Sequence, residues 1–312
     1  MDSLLVGLAA LLCFLFGWNN SSFLIGNLRG AGSLSFMGAL LISILGLLVG
    51  VLLEGSKMVG TLAGTLAPST TFAILLTVMF VSLMLTFGLT LLDLPVSFSM
   101  IMVSSFLGAT YSSAIPVDVS RSVEVIAFWF VAPLATAIFT FVVYEAVSRV
   151  VPRFGILAVD SLNRVGAVAS GLAVSYTLGA NNIGLIYSAT SVSITGQPIN
   201  ALVMLLLVLA GTVGILLFGR SALGGTMGDR MLTLSPQGVF SAFVSSSLVV
   251  WLGTQYALPV SISQCLLGGM LGAAYSRIVS VVNRRLVSET LSLWLLAPLA
   301  SFALSYFLAG YL

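Results

Sequence analysis

The sequence predicts an all-α integral membrane protein built from two inverted-topology repeats of about five transmembrane helices each, with broken or re-entrant segments. Three observations predict it: extreme hydropathy with few charges, a one-sided distribution of basic residues, and an internal repeat. The 312-residue chain is 59% hydrophobic and 6% charged, with a mean hydropathy of +1.18. A soluble domain carries about 25% charged residues, so the solvent that suits this chain is lipid. Apolar runs of the ~20 residues needed to cross a ~30 Å hydrocarbon core recur along it.

Taken in order, these runs read as helices at about 2–18, 33–53, 69–92, 95–113, 123–147, 165–180, 199–219, 236–256, 259–276 and 289–312. The first begins Met-Asp-Ser with no basic residue ahead of it, so it reads as a retained span rather than a cleaved signal. Between the runs lie Gly- and Ser-rich pieces at 19–32, 57–67, 181–197 and 222–232, too short or too polar to be spans and candidates for re-entry. Non-helical backbone at membrane depth survives only inside protein or beside a wet cavity.

Basic residues orient the spans. Nine of the eleven fall in loops after odd-numbered spans, from Arg29 to Arg285; only Lys57 and Arg121 fall after even-numbered ones. Positive charge marks the cytoplasmic face. The sequence therefore predicts a multi-pass protein of the cytoplasmic membrane with both termini outside.

The internal repeat divides the chain at 1–150 and 151–312 within one transmembrane domain. LPVSFSMIMVSSFLGATYS at 94–112 returns as LPVSISQCLLGGMLGAAYS at 258–276. Glu124, Trp129 and Pro133 return as Glu289, Trp294 and Pro298, and Gly17-Trp18-Asn19-Asn20 returns as Gly179-Ala180-Asn181-Asn182. Five spans per copy is an odd number, so the second copy sits upside down relative to the first. Inverted repeats with broken helices at matched positions are a hallmark of secondary transporters, whose substrate site lies near the midplane between the repeats.

Several function classes fall away. Cys13 and Cys265 lie inside apolar segments, which indicates neither a disulfide framework nor a metal site. The chain has no histidine, and a net charge of +2 does not suggest nucleic acid as a partner. No acid–base or nucleophile constellation marks an enzyme, and no cofactor is implied.

Polar groups concentrate at two places. Pro95 and Pro259 each open an apolar helix, where a missing N–H costs nothing, and each is followed by Ser-x-Ser. Ser97, Ser99, Ser261 and Ser263 then stand beside unpaired N–H groups at the positive end of the helix dipole, where a small anion binds readily. Back-bonding of these serines within their own helices is the alternative. Asn19, Asn20, Ser21 and Ser22, with Asn181 and Asn182, sit where apolar runs stop; they can contact a ligand, coordinate a cation or cap a broken helix. Asp93 lies two residues before Pro95, placed to couple a cation or proton, although its counterpart is Ala257. Glu124 and Glu289 read as N-terminal caps of the Trp-containing helices.

At these residues the sequence resembles the inorganic phosphate transporter family of secondary permeases, which also includes sulfate permeases. The likeness is carried by Gly-x-Asn at Gly17 and Gly179, Leu-Pro-Val-Ser-x-Ser at Leu94 and Leu258, Trp-x3-Pro-Leu at Trp129 and Trp294, and the run from Gly219 to Ser276. The resemblance implies a homodimer with an anion site between the copies and coupling cations beside it. Beside that resemblance, the residues read above as candidates are Ser97, Ser99, Ser261, Ser263, Asn19, Asn181, Ser21 and Ser22 for the anion, and Asn20, Asn182 and Asp93 for a coupling Na+ or H+. The family pattern reads Gly-x-Asn-Asp where this chain has Asn20 and Asn182, which removes two negative charges and makes sulfate more plausible as a substrate than in a typical member. The expectation is a secondary active transporter of phosphate, or of sulfate, working by alternating access. An uncoupled anion channel or exchanger, and a receptor that kept the fold without transporting, are the competing readings.

Overall fold

The computed structural model describes residues 2–30, 34–92, 97–190, 200–219, 234–276 and 283–311, and they are helical almost throughout. In chain order the helices are α1 Asp2–Gly30, α2 Phe36–Glu54, α3 Phe72–Leu91, α4 Phe98–Ser112, α5 Val119–Val150, α6 Ile156–Leu178, α7 Gly184–Ser188, α8 Ala201–Phe218, α9 Pro236–Gln255, α10 Ile262–Tyr275 and α11 Arg284–Ala309. Among the described residues, eight helical stretches are long and apolar enough to cross a membrane. The helices expected at 95–113 and 259–276 are present as α4 and α10 but are only 15 and 14 residues long. At 1.5 Å per residue each reaches about 22 Å, short of a bilayer core. Both begin at an N-cap serine with extended backbone, Ser97 and Ser261, rather than at the preceding proline.

The polar pieces between runs also differ from expectation. Residues 19–30 are not a break: α1 continues through them, because Asn20 Nδ2 donates to Phe16 O at 2.9 Å and Ser21 Oγ to Trp18 O at 2.7 Å, satisfying these groups within the helix. Residues 57–66 fold into a 3-10 turn, Gly55–Met58, and a π-helical turn, Thr61–Leu66. After α6 a π-helical turn, Gly179–Ile183, carries Asn181 and Asn182 and leads directly into α7. Residues 191–197 of the expected segment 181–197, the expected segment 222–232, and Asp93 lie outside the described residues.

Helix starts follow ordinary capping chemistry. Ser35, Thr71, Asp118, Asn200, Ser235 and Asn283 each accept a backbone N–H from the first turn. Asp118 and Asn283 therefore cap α5 and α11. Glu124 and Glu289, expected in that role, lie within those helices and pair instead with Arg121 at 2.7 Å and Arg285 at 2.8 Å.

Packing repeats itself. The contacts α1–α8, α1–α3, α3–α4 and α4–α11 are matched by α6–α2, α6–α9, α9–α10 and α10–α5. The halves thus exchange partners rather than form separate bodies: α4 of the first lies on α11 of the second, and α10 of the second on α5 of the first. Glycine sets these crossings at matched positions. A Cβ on Gly108 would meet Phe302 O at 2.2 Å, and one on Gly272 would meet Ala137 O at 2.2 Å. Small residues that let backbones touch are the usual contact in membrane bundles.

The α9–α10 hairpin turns on an uncommon residue. Leu258 N donates to Gly253 O at 2.8 Å and Ala257 N to Thr254 O at 3.1 Å, the paired bonds of a Schellman helix end. Such an end needs a left-handed residue, usually Gly, yet Ala257 occupies it at φ 51°. A left-handed alanine costs about 1–2 kcal/mol, partly offset in Gly by the entropy of a freer unfolded chain. Ala257→Gly is expected to raise stability by up to ~1 kcal/mol in thermal unfolding in detergent. A fall would show that the Ala257 methyl group packs favourably enough to outweigh its backbone strain.

Candidate anion site between two helix starts

The two Pro-Val-Ser segments, 164 positions apart in sequence, meet inside the protein: Ser97 Oγ donates to Ser261 Oγ at 2.8 Å, and both residues are buried. Each serine is the N-cap of its helix. The N-termini of α4 and α10 thus bring their positive dipole ends to one place in a medium of low dielectric. Like partial charges facing one another favour an anion between them.

A small, tight pocket adjoins this contact, lined by Phe16 and Asn20 of α1, Phe98 and Ser99 of α4, Asn182 of the π-helical turn, and Ser261, Ile262 and Ser263 at the start of α10. The lining is nearly symmetric, with Asn20 answering to Asn182, Phe98 to Ile262 and Ser99 to Ser263. None of these eight side chains is ionisable. Two of their polar groups are unused although buried: Ser99 Oγ and Asn182 Nδ2 have no hydrogen-bond partner, and each residue is only 1% exposed. A buried donor without a partner costs ~1–3 kcal/mol, and its presence in a pocket marks a place for a ligand's acceptor. Ser261 Oγ also accepts from Gln264 N at 3.3 Å and lies 3.2 Å from Ser263 Oγ.

Of the residues expected at the site, Ser97, Ser99, Ser261, Ser263, Asn20 and Asn182 come together here. Asn19 and Asn181 do not line the pocket. Asn19 Nδ2 donates to Thr90 Oγ1 at 3.1 Å. Asn181 Nδ2 donates to Thr254 Oγ1 and Leu258 O, both at 3.0 Å, while its Oδ1 accepts from Val260 N at 2.9 Å. They tether the helical hairpins that present the serines. Ser21 is occupied by its bond to Trp18 O, and the Ser22 side chain and Asp93 lie outside the described residues.

Residue-type reasoning overlooked the apolar walls, Phe16, Phe98 and Ile262, and the anchors Thr90 and Thr254. The threonines left a signal: each stands five residues before the repeated proline. The walls left none, since one more Phe or Ile in an apolar run carries no mark of its own.

Fold and hydropathy together define a multi-pass helical membrane protein with a buried polar pocket where two helix starts meet. The sequence profile of the phosphate transporter family matches residues 16–159 and, a second time, residues 156–305. The chain belongs to that family. It is 22% identical over 295 residues to a protein of Methanocaldococcus jannaschii assigned as a phosphate permease, covering 95% of this chain and 92% of that one. It is also 22% identical over 284 residues to the sulfate permease CysP of Bacillus subtilis, covering 87% of this chain and 77% of that one. Among solved structures, a sodium-dependent phosphate transporter shares the fold with a TM-score of 0.86 at 18% identity, over 99% of this chain and 98% of that one.

Proposed function

We propose that the protein is a secondary transporter that carries inorganic phosphate, or sulfate, across the cytoplasmic membrane by alternating access. The observation that carries this reading is the meeting of two helix N-termini at the Ser97–Ser261 contact, beside a pocket whose Ser99 Oγ and Asn182 Nδ2 are buried without partners. A tetrahedral oxyanion offers acceptors to both hydroxyls and to the amide, and its charge answers the two helix dipoles. The name of the archaeal relative favours phosphate; that of the Bacillus relative keeps sulfate as the second substrate.

Residues 1–150 and 151–312 act as two inverted repeats. If α3 and α4 form one hairpin, and α9 and α10 another, each repeat crosses the membrane three times with its hairpin entering and returning. Three is odd, as five was, so inversion and the placement of both termini outside are kept. The hairpin tips then meet at the midplane, where Ser97 touches Ser261. The fold it shares with a sodium-dependent transporter makes Na+ the first coupling ion to test, with H+ the second. Asn20 and Asn182 supply neutral amide oxygens for it. A homodimer is the expected assembly.

Uptake of labelled phosphate and sulfate into proteoliposomes under imposed Na+ and H+ gradients tests the reading. Saturable uptake of one anion, driven by one of the gradients, is expected. Flux indifferent to every gradient would make the protein a channel or exchanger, and no flux of either anion would overturn the transporter reading.

A further inference from the structure

The repeated residues of α5 and α11 do different things in this one structure. Trp129 of α5 donates its indole N–H to Pro259 O at 3.0 Å, at the tip of the α9–α10 hairpin. Arg121, two turns earlier, bonds Tyr256 O of the same tip while keeping its ion pair with Glu124. The counterpart of Trp129 on α11 is Trp294; the position that answers to Arg121 is Leu286, and the nearest basic side chain is Arg285 just before it. Trp294 is as buried as Trp129, each 5% exposed, yet its indole N–H has no partner. Among the described residues Arg285 pairs with Glu289 alone, and its side chain is 90% exposed against 21% for Arg121. Equivalent tryptophans, each with an arginine about two turns before it, are engaged in one repeat and idle in the other.

The helices that carry them are built to move at these points. Each Trp stands four residues before a proline, Pro133 or Pro298, inside its helix. A helical proline cannot donate to the carbonyl four residues earlier, so the helix is interrupted at the Trp itself. The second hairpin is further held by Asn181, and by Gln255, which bonds both Glu54 and Lys57 at the end of α2.

We propose that Arg121 with Trp129, and Arg285 with Trp294, are alternately engaged positioning clamps for the two hairpins that carry the anion-binding serines. In this structure the α5 clamp holds the α9–α10 hairpin and closes the face that carries Lys57 and Arg121, while the α11 clamp is released. In the opposite access state the two exchange. A ligand or mutation shifts such an equilibrium by its differential contact with the two states, and each indole bond contributes to one state only.

This purpose rests on the transporter reading, but its test needs no substrate. The native thiol of Cys265 is fully buried on α10, facing Thr136 of α5, and becomes accessible when the hairpin leaves α5. With Cys13→Ser as parent, labelling of Cys265 by a membrane-impermeant maleimide in sealed vesicles reads the opening from each face. Trp129→Phe keeps the ring and removes the donor. It should raise labelling about five- to tenfold, the worth of one buried hydrogen bond, from the face that carries Lys57 and Arg121. Adding Trp294→Phe should bring labelling back to within about twofold of the parent, because both states have then lost equal bonds. An unchanged Trp129→Phe variant, or a double variant no different from Trp129→Phe alone, would overturn the proposal. Arg121→Gln with and without Arg285→Gln repeats the comparison where folding is less at stake, and the same pattern of rise and reversal is required. Failure of phosphate and sulfate uptake with this pattern intact would overturn the transporter reading and leave the clamps standing.

Discussion

Asn182→Leu is expected to abolish tight anion binding while making the empty protein more stable. Asn182 is 1% exposed, lines the pocket, and has an amide donor with no partner. Leucine has nearly the same volume, so the substitution removes an unsatisfied polar group without leaving a cavity. The apo protein should gain about 1 kcal/mol, the low end of what an unpaired buried donor costs. The anion loses a buried charge-assisted bond of ~1.5–3 kcal/mol, a weakening of about ten- to a hundredfold. Adding Ser99→Ala, whose hydroxyl is equally idle and buried, should carry the loss beyond detection. Isothermal titration with phosphate and with sulfate reads the first effect, and thermal unfolding in detergent the second. Opposite signs are the signature of a group held for a ligand; a variant that binds normally, or that unfolds earlier, would take Asn182 out of the site.

Gly50→Ala should cost more stability than any loss at the pocket. A Cβ there would lie 1.9 Å from Tyr176 O and 2.7 Å from Tyr176 C, both backbone atoms of α6. Backbone cannot turn aside as a side chain does, so α2 and α6 must separate along their whole contact. Overpacking of this kind costs ~1–3 kcal/mol where neighbours can yield, and here they cannot. A loss of at least about 3 kcal/mol is expected, on the order of 10 °C in melting temperature, and Gly50→Val should not yield folded protein. Gly214 makes the matched approach, 2.1 Å from Phe14 O, and should behave alike. Gly7 is the control, with nothing within 4 Å of its added Cβ; Gly7→Ala should gain ~0.5–1 kcal/mol from helix propensity. Equal responses at Gly7 and Gly50 would remove the close crossing as the reason for the glycine.

Much of this was legible in the residues themselves. Hydropathy located every long helix, since a segment that must cross lipid has to be apolar along its length. The repeat was legible because Pro, Ser, Trp and Glu are conspicuous in such a background, and the paired Pro-Val-Ser segments pointed to one shared centre. Asn20 and Asn182 were expected near a cation, and the structure puts them in the wall beside the serines. Their neighbours Asn19 and Asn181, expected on the anion, bond threonines instead. Adjacent residues of one helical turn point about 100° apart, and no composition argument says which of two like amides faces inward. Helix length was misread at α4 and α10 for a related reason: apolar residues fill a buried half-helix as readily as a lipid-facing span.

The amino-acid sequence by itself determined the solvent, the order of the long helices, the duplication and the small polar vocabulary from which a site could be made, because each is written in residue type and spacing. Only the tertiary structure decided that the halves exchange helices, that Ser97 touches Ser261, which asparagine of each pair faces the pocket, and that Trp129 is engaged while Trp294 is idle. Those are relations between segments from about seventy to more than a hundred residues apart. The matched motifs of the two repeats encode both members of each pair alike, so what breaks their equivalence is the packing of one state of the whole molecule, in which one hairpin is held and the other clamp is free.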